Sequence, residues 1–479
     1  MLKLITIQLL DFITSHQNMN KKDITKILSE NLLFEKTVTD CSIKQATTNL
    51  QLAGEDSLCF YNISDQLDAK EVFIKRLKSS SCKNLVLTKK VDVEGVNIWV
   101  VDPSDFLWAQ DLIANEIYPD KLKIKLAGIT GTNGKTTVSY LAMQLATLLG
   151  YPSISIGTIG VRDSKNILEE DILSTTPSYL ELRKIIHRYQ DDYKFIFMEV
   201  SSHALAQNRL NKVRLKSCAW TSFSQDHLDY HKTNEEYFKA KLKILESSDD
   251  KNLIVPSSEK SLLALLADNN VSRKIVEPYF DECLEAGFKA SYNQANLSVA
   301  IALCEVLIGE SIDRKLLSKL SLPAGRFEAI KYNEHIVIVD YAHTPDALEN
   351  ICGTIKKDFS SFELRVIFGC GGDRDRSKRP LMGKAVSKYA DNIIVTSDNP
   401  RTEEPSSIID DITPGISRDY IRIEDRRLAI EKSLEDLSRP TVVLIAGKGH
   451  EEYQDVKGIK HHFSDKEEVM KIIDRNKNV

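Results

Sequence analysis

The chain has 479 residues, a net charge of −5, 42% hydrophobic and 7% aromatic residues. That length exceeds one hydrophobic core and suggests about three domains. The mild charge, with no basic patch or aromatic-interleaved lysine run, argues against a nucleic-acid binder, and no run of eighteen apolar residues points to a membrane span. Eight cysteines are scattered without CxxC or metal-ligand spacing, as suits a reducing compartment, here the cytoplasm.

Residues 1–16 form an apolar run that Gln8 and Asp11 interrupt; no small-residue cleavage site follows, so it reads as a first helix and not a leader. Short apolar runs at 85–87 and 96–101 read as strands, with a helix over 71–77, giving a small α/β domain over 1–105. Residues 105–118 have roughly helical spacing and bridge into the stretch 126–141, LAGITGTNGKTTVSYL. There an apolar approach (Ile124, Leu126, Ala127) reads as a strand, Gly128, Gly131 and Gly134 as a turn, and 138–149 as a helix. This is a layout that binds nucleotide phosphates. Glycines let backbone N–H groups approach the oxygens, Lys135 adds a mobile charge, the helix N-terminus faces the anion, and the Thr136 hydroxyl can ligand magnesium. Ile129 stands where the usual pattern has its first glycine; Gly128 and Gly131 offset that.

Over 106–322 strands and helices alternate, as in a parallel-sheet domain. Residues 194–200 form a nearly unbroken apolar run, the pattern of a strand buried on both faces. Glu199 closes it, and an acid at the carboxyl end of such a strand is well placed for a metal. A strand over 217–223 leads into 225–231, where two histidines and two aspartates could ligand a metal or cap the next helix; spacing alone leaves both open. On the helix 235–245, Lys241 shares a face with Tyr237, Phe238 and Leu245, whereas Lys239 and Lys243 point nearly opposite. A desolvated lysine has a lowered pKa, and its neutral amine can take up carbon dioxide as a carbamate. From helical geometry alone, a lysine snorkelling to water is the simpler reading.

A hinge at 322–328 opens a third domain, 323–479. Strands at 336–340, 364–368, 392–396 and 441–446 alternate with helices at 345–356 and 380–389, a second open, Rossmann-like α/β sheet. Its loops carry polar clusters at 340–343, 371–374, 398–401 and 447–451; each alone reads as a polar turn. The glycines at 369–372 make no convincing dinucleotide fingerprint.

Taken together these stretches resemble the Mur ligase family, the ATP-dependent amino-acid-adding enzymes of peptidoglycan assembly. They are GTNGKTT, STTP (174–177), MEVSSHALAQNR (198–209), DHLDYH (226–231), YFKAK (237–241), NQAN (293–296), PAGRFE (323–328), DYAHTPDALE (340–349), GCGGDRDRSKRPLMG (369–383), DNPRTEEP (398–405) and AGKGHEEYQ (446–454), in the family's order. Several are specific to the branch that adds the third residue of the stem peptide.

The resemblance implies a UDP-substrate domain over 1–105, an ATP-binding P-loop domain over 106–322 and an amino-acid-binding domain over 323–479. It implies that Gly131, Thr132, Asn133, Gly134, Lys135, Thr136 and Thr137 bind ATP. Thr136 and Glu199 would ligand magnesium, with His227 and a carbamylated Lys241 serving a second ion or helping to place it, which reverses the bland reading of Lys241. Asn296 and Arg326 match nucleotide-contacting positions, with Asp340 and His343 beside them. Ser174, Thr175, Thr176, Ser201, Gln207 and Arg209 match positions that hold UDP-N-acetylmuramoyl-L-alanyl-D-glutamate. At the amino-acid end the resemblance implies a choice between L-lysine and meso-diaminopimelate, which chemistry can explain. L-lysine and meso-diaminopimelate differ by one distal carboxylate, which an arginine binds bidentately; with lysine that arginine stays unpaired. Here Asp398, Asn399, Pro400 and Arg401 carry the arginine-bearing form. Arg374 would support a carboxylate, and Gly447 and Glu451 would face the far ammonium and carboxylate.

Departures from the family pattern fall at 40–43 (DCSI) and 55–60 (EDSLCF), so the uridine-side contacts are not carried over, and at 290–293 (ASYN), a mild change near the adenine. The expected reaction forms an acyl phosphate on the D-glutamate carboxylate, which the incoming amine then attacks, with closure about 322–326 in a monomeric enzyme. The rivals are an L-lysine-adding relative, another Mur or folylpolyglutamate synthetase-like ligase, and, from a different class, a non-catalytic P-loop regulator. The segment around Arg401 separates the ligases. Lys135, Glu199, His227 and Lys241 together argue against the regulator.

Overall fold

The computed structural model describes residues 18–170, 174–282, 284 and 286–477; the expected first helix lies outside them. Among the described residues there are three large sheets and one two-stranded hairpin. The chain divides into two compact units. One holds residues up to Lys125 with Thr176–Lys194 and Gln207–Arg214; the other holds Leu126–Thr175, Phe195–Ala206 and Leu215–Val479.

In the first unit a five-stranded sheet runs in the order Leu32–Lys36, Asn97–Val101, Asn84–Leu87, Ser57–Tyr61, Gln45–Thr47. The first pair is antiparallel and the rest parallel. The strands Asn84–Leu87 and Asn97–Val101 are wholly buried, which is why they read as largely apolar runs. The helix Ala69–Lys78 covers the sheet through Phe73 and Leu77. The helix Phe106–Ile117 buries Phe106, Ala109, Ile113 and Ala114 in this unit, whose first segment ends at Lys125.

The second unit has an eight-stranded sheet ordered Arg273–Val276, Leu253–Pro256, Ser217–Trp220, Lys125–Thr130, Phe195–Glu199, Ser153–Gly157, Gly160–Arg162, Ile167–Glu169. Strand pairs on either side of the glycine loop are parallel, and the last two pairings are antiparallel. Thr130 sits level with Trp220 and Met198 with Ile156, so their following loops leave at one edge. Two buried helices, Lys135–Leu148 and Ser291–Ile308, pack together over this sheet.

The same unit holds a six-stranded sheet ordered Glu328–Tyr332, His335–Asp340, Thr441–Ala446, Glu363–Phe368, Asn392–Val395, Ile421–Arg422. Only the first pair is antiparallel. Asp340 is level with Ala446 and Phe368 with Val395, so the four polar loops picked out by sequence emerge side by side. The hairpin Tyr453–Val456/Ile459–His462 turns at Lys457 and Gly458, with φ of 53° and 79°, and bridges through Val456 to Arg401.

Candidate active site

The glycine loop leaves the strand Lys125–Thr130 through Gly131 (φ 151°) and enters its helix through Gly134 (φ 86°). A side chain on Gly134 would run into Asn296, so glycine is required by both conformation and space. Thr132 N donates to the Ser222 carbonyl (2.9 Å) and Asn133 N to Ser222 Oγ (2.9 Å), which fixes the loop against its neighbour strand. Lys135 Nζ folds back onto the carbonyls of Gly131 (2.8 Å) and Thr132 (2.9 Å). Burial lowers the lysine pKa, opposed by the charges of Glu199 and Asp226.

Glu199 is 1% exposed. Its Oε1 accepts from Thr136 Oγ1 (2.9 Å) and Thr158 N (2.8 Å), and its Oε2 from Thr158 Oγ1 (3.3 Å). Gly157 leaves room for the carboxylate: a methyl there would lie 2.5 Å from Glu199 Cδ. Lys241 is also 1% exposed, with Nζ donating to the Gly131 carbonyl (2.8 Å) and lying 4.6 Å from the Tyr237 ring centre. Burial and the nearby Lys135 push its pKa well down, so the amine is drawn to the neutral form and does not snorkel. His227 has φ 55°, and burial, with the charges of His203, Lys135 and Lys241, takes it down to about 3. Burial works to raise the neighbouring Asp226, but Lys378, His227 and His343 outweigh it and hold the carboxyl low.

The C-terminal sheet reaches the same place. Arg326 Nη2 donates to Thr136 Oγ1 (3.3 Å) while its guanidinium lies 4.2 Å from the Tyr341 ring centre. Asp340 accepts from the backbone N–H groups of Phe327 and Ala342, both at 2.7 Å. His343, taken down to about 4 by burial, bonds through Nδ1 to the Tyr341 carbonyl. Asn133 Nδ2 donates to Asp346 Oδ2 (3.1 Å) at the start of the helix Pro345–Asp358.

Beyond Arg326 the polar loops converge. Arg401, in the left-handed region at φ 52°, donates Nη1 to the Gly372 carbonyl (2.6 Å). Its own backbone is bonded to Asp455 O (3.0 Å) and Lys457 N (2.7 Å) of the hairpin. Asn399 Nδ2 donates to Glu451 Oε2 (2.8 Å), and Gly447 has no room for a side chain beside Asp398. Glu403 receives Asp373 N (2.6 Å) and Arg379 Nη2 (2.8 Å), stitching the Arg374 loop to the Arg401 loop. A single cavity of ≈ 520 Å³ joins both ends: Lys135, Thr136, Glu199 and His227 line one part, and Arg374, Arg401 and Glu451 another. Pro400 lines a separate groove with Ser397, Arg427 and His462.

Comparison with known proteins settles the family. Residues 129–278 match the Mur ligase middle domain and residues 325–449 the Mur ligase, glutamate ligase domain. A UDP-N-acetylmuramoyl-L-alanyl-D-glutamate--2,6-diaminopimelate ligase of Aquifex aeolicus is 40% identical over 73% of this chain and 78% of its own length. A protein of the same name from Clostridium tetani is 33% identical over 95% of this chain and 99% of its own. This chain belongs to the Mur ligase family. A solved structure of a ligase with that name, 27% identical, covers 96% of this Mur ligase and 100% of its own chain with a TM-score of 0.56.

Magnesium takes oxygen ligands and commonly keeps waters and phosphates in its shell. In this Mur ligase the Thr136 hydroxyl and Glu199 carboxylate, 2.9 Å apart at the cavity wall, fit such an ion. Among the described residues no group of three or more His, Cys, Asp or Glu is gathered as a metal site. Of the residues expected on the dipeptide side, Thr175 lines the cavity and Ser201 Oγ receives Ala204 N (3.2 Å). In the other unit, Arg209 donates to the Thr176 carbonyl (2.7 Å) and to Gln207 Oε1 (3.0 and 2.8 Å). Ser174 is described but lies outside the cavity lining. Sequence reading missed Thr158, which positions Glu199; Asp346, which holds Asn133; and Lys378, 3.5 Å from Asp226. Lys378 and Asp346 lie inside recognisable motifs, whereas nothing in the sequence marks Thr158.

Proposed function

We propose that this chain is an ATP-dependent amide ligase that adds meso-diaminopimelate to UDP-N-acetylmuramoyl-L-alanyl-D-glutamate, in cytoplasmic peptidoglycan-precursor synthesis and as a monomer. The carrying observation is that Arg401 and Glu451 line the same cavity as Lys135 and Glu199. A phosphate loop alone would serve any nucleotide binder; a guanidinium and a carboxylate across the same space suit a zwitterionic second diacid. Relatives that span nearly the whole chain carry that activity in their names. Domains at 1–105, 106–322 and 323–479 would take the UDP-sugar, ATP and the amino acid respectively.

The D-glutamate carboxylate attacks the γ-phosphate of ATP, giving an acyl phosphate and ADP; the amine of diaminopimelate then displaces phosphate. Both partners of the first step are anions. Lys135, whose Nζ meets the carbonyls of Gly131 and Thr132, would turn to phosphate oxygens, and the N–H groups of Gly134–Thr137 at the helix start would supply further donors. Arg326 stands over Thr136 as a further cation. Thr136 and Glu199 would hold magnesium, with His227 and a carbamylated Lys241 helping to place it, and the ion would neutralise charge on the transferring phosphate. The neutral amine favoured at Lys241 is the form that accepts carbon dioxide. Asp398, Asn399 and Arg401 with Gly447, Glu451 and Arg374 would orient the incoming amino acid, and closure about 322–326 would keep water from the acyl phosphate.

The test is phosphate release from ATP with and without each substrate, with mass analysis of the product. Release that requires both the nucleotide dipeptide and diaminopimelate, with a product carrying diaminopimelate in competition with L-lysine, is expected. Release indifferent to both would leave only a nucleotide hydrolase.

A further inference from the structure

The loop 447–451 contains a charged side chain that the reading above does not use. Lys448 has no exposed side-chain surface. Its Nζ donates to Asn399 Oδ1 (3.0 Å) and Glu451 Oε2 (3.3 Å) and stands 5.5 Å from the Tyr453 ring centre. Burying an ammonium is costly unless a counter-charge meets it, and Glu451 is the acid bonded to it. Asn399 closes the triangle by donating Nδ2 to the same Glu451 oxygen (2.8 Å) and takes Asp455 N on its Oδ1 (2.9 Å). Glu451 Oε2 is therefore committed. Its Oε1 accepts no hydrogen bond among the described residues, on a side chain that lines the cavity whereas Lys448 does not.

We infer that Lys448 is a positioning residue for the amino-acid end of the site: it holds Glu451 and Asn399 so that the free carboxylate oxygen receives the distal ammonium of the substrate. This rests on the diaminopimelate reading. The electrostatics agree. Burial and the facing carboxylate of Asp398 push the Glu451 pKa up, and Lys448 and the Asn399 bond oppose them. Arg426 lies close enough for its charge to couple to Glu451, and the phenols of Tyr341 and Tyr453 complete the titratable surroundings. Without Lys448 the carboxylate loses one of its two tethers and its strongest nearby cation, and it becomes easier to protonate.

The probe is the full-length enzyme with meso-diaminopimelate and with 2-aminopimelate, the same chain without the distal amine. Lys448→Met should raise KM for diaminopimelate about tenfold or more, as expected for loss of a charge-assisted contact. KM for ATP should hold, the preference over 2-aminopimelate should shrink, and the acidic limb of kcat/KM should move to higher pH. An equal loss with both amino acids and an unmoved pH profile would mean that Lys448 only packs, and would overturn the inference. Since a lone buried charge can prevent folding, the double variant Lys448→Met/Glu451→Gln is the second arm; it leaves neither charge unpaired. Its KM for diaminopimelate should match that of Glu451→Gln alone, and a further multiplicative loss would also overturn the inference. A wild-type enzyme that shows no diaminopimelate-dependent turnover sinks the function itself, a separate outcome from either variant result.

Discussion

Gly157→Ala tests how tightly Glu199 must be held. The glycine ends the strand Ser153–Gly157, and an alanine methyl there would lie 2.5 Å from Cδ and 2.6 Å from Cγ of Glu199, with Oε1 closer still. Ordinary contact begins near 3.4 Å, so the carboxylate must retreat by about 1 Å. Three hydrogen bonds, from Thr136 and twice from Thr158, resist that movement in a site 1% exposed. Misplacement of this size typically costs about a hundredfold in turnover, or ~2.7 kcal/mol of transition-state free energy. Overpacking should cost about 1–3 kcal/mol of stability. Steady-state phosphate release at saturating diaminopimelate gives the first number and urea unfolding the second. KM for diaminopimelate should not change, because the perturbation lies at the phosphate end. If Gly157→Ala keeps kcat/KM within a factor of two, the position of the Glu199 carboxylate is not what the reaction depends on.

Other substitutions address the amino-acid end, the core and pH. Arg401→Ala should raise KM for diaminopimelate about 10–100-fold and narrow the preference over L-lysine; an unchanged KM would remove Arg401 from the site. Arg426 and Asp465 are both fully buried and joined by two bonds of 2.7 Å, so Arg426→Met should destabilise by about 3–5 kcal/mol in urea titration. The double change with Asp465→Leu should recover much of that loss, and a double variant as unstable as the single would contradict it. Burial raises Glu259 to about 7, above its ordinary value of 4.5, so the folded state binds this proton more tightly than the unfolded chain. Stability from this group is full below pH 4.5 and declines as pH rises towards 7. Glu259→Gln should therefore be near neutral at pH 5 and stabilise the apo-protein at pH 8 by on the order of 2 kcal/mol. Equal effects at both pH values in thermal melts would refute the assignment.

What the sequence revealed followed from how each element is buried. The strands around 85–87, 195–199 and 441–446 were legible because burial on both faces leaves continuous apolar runs. The helix Ser291–Ile308 was missed for the same reason: it is apolar nearly all round, so no stripe marks it. The helix expected over 235–245 instead stops at Leu242, with a short second turn over Ile244–Ser247. Lys241 shows the limit of periodicity, which gave its face but not its depth. Depth comes from Gly131 O and Tyr237, more than a hundred residues away and one turn back respectively. The loop residues of the site were visible only as motifs. Their convergence depends on strand register, such as Asp340 level with Ala446, which no local pattern encodes. Thr158 and the Arg401–hairpin bridge are likewise products of tertiary pairing.

The glycine loop and the helix it opens are tethered from two directions, since Arg326 reaches Thr136 and Asp346 receives Asn133 across the gap between the two large sheets. Were ATP held there, docking of the carboxy-terminal half and loading of the nucleotide would be linked equilibria, and whatever shifted one would shift the other by an equal amount. Changes along the helix Pro345–Asp358, well away from any ligand atom, would then retune nucleotide affinity without altering a single contact to it.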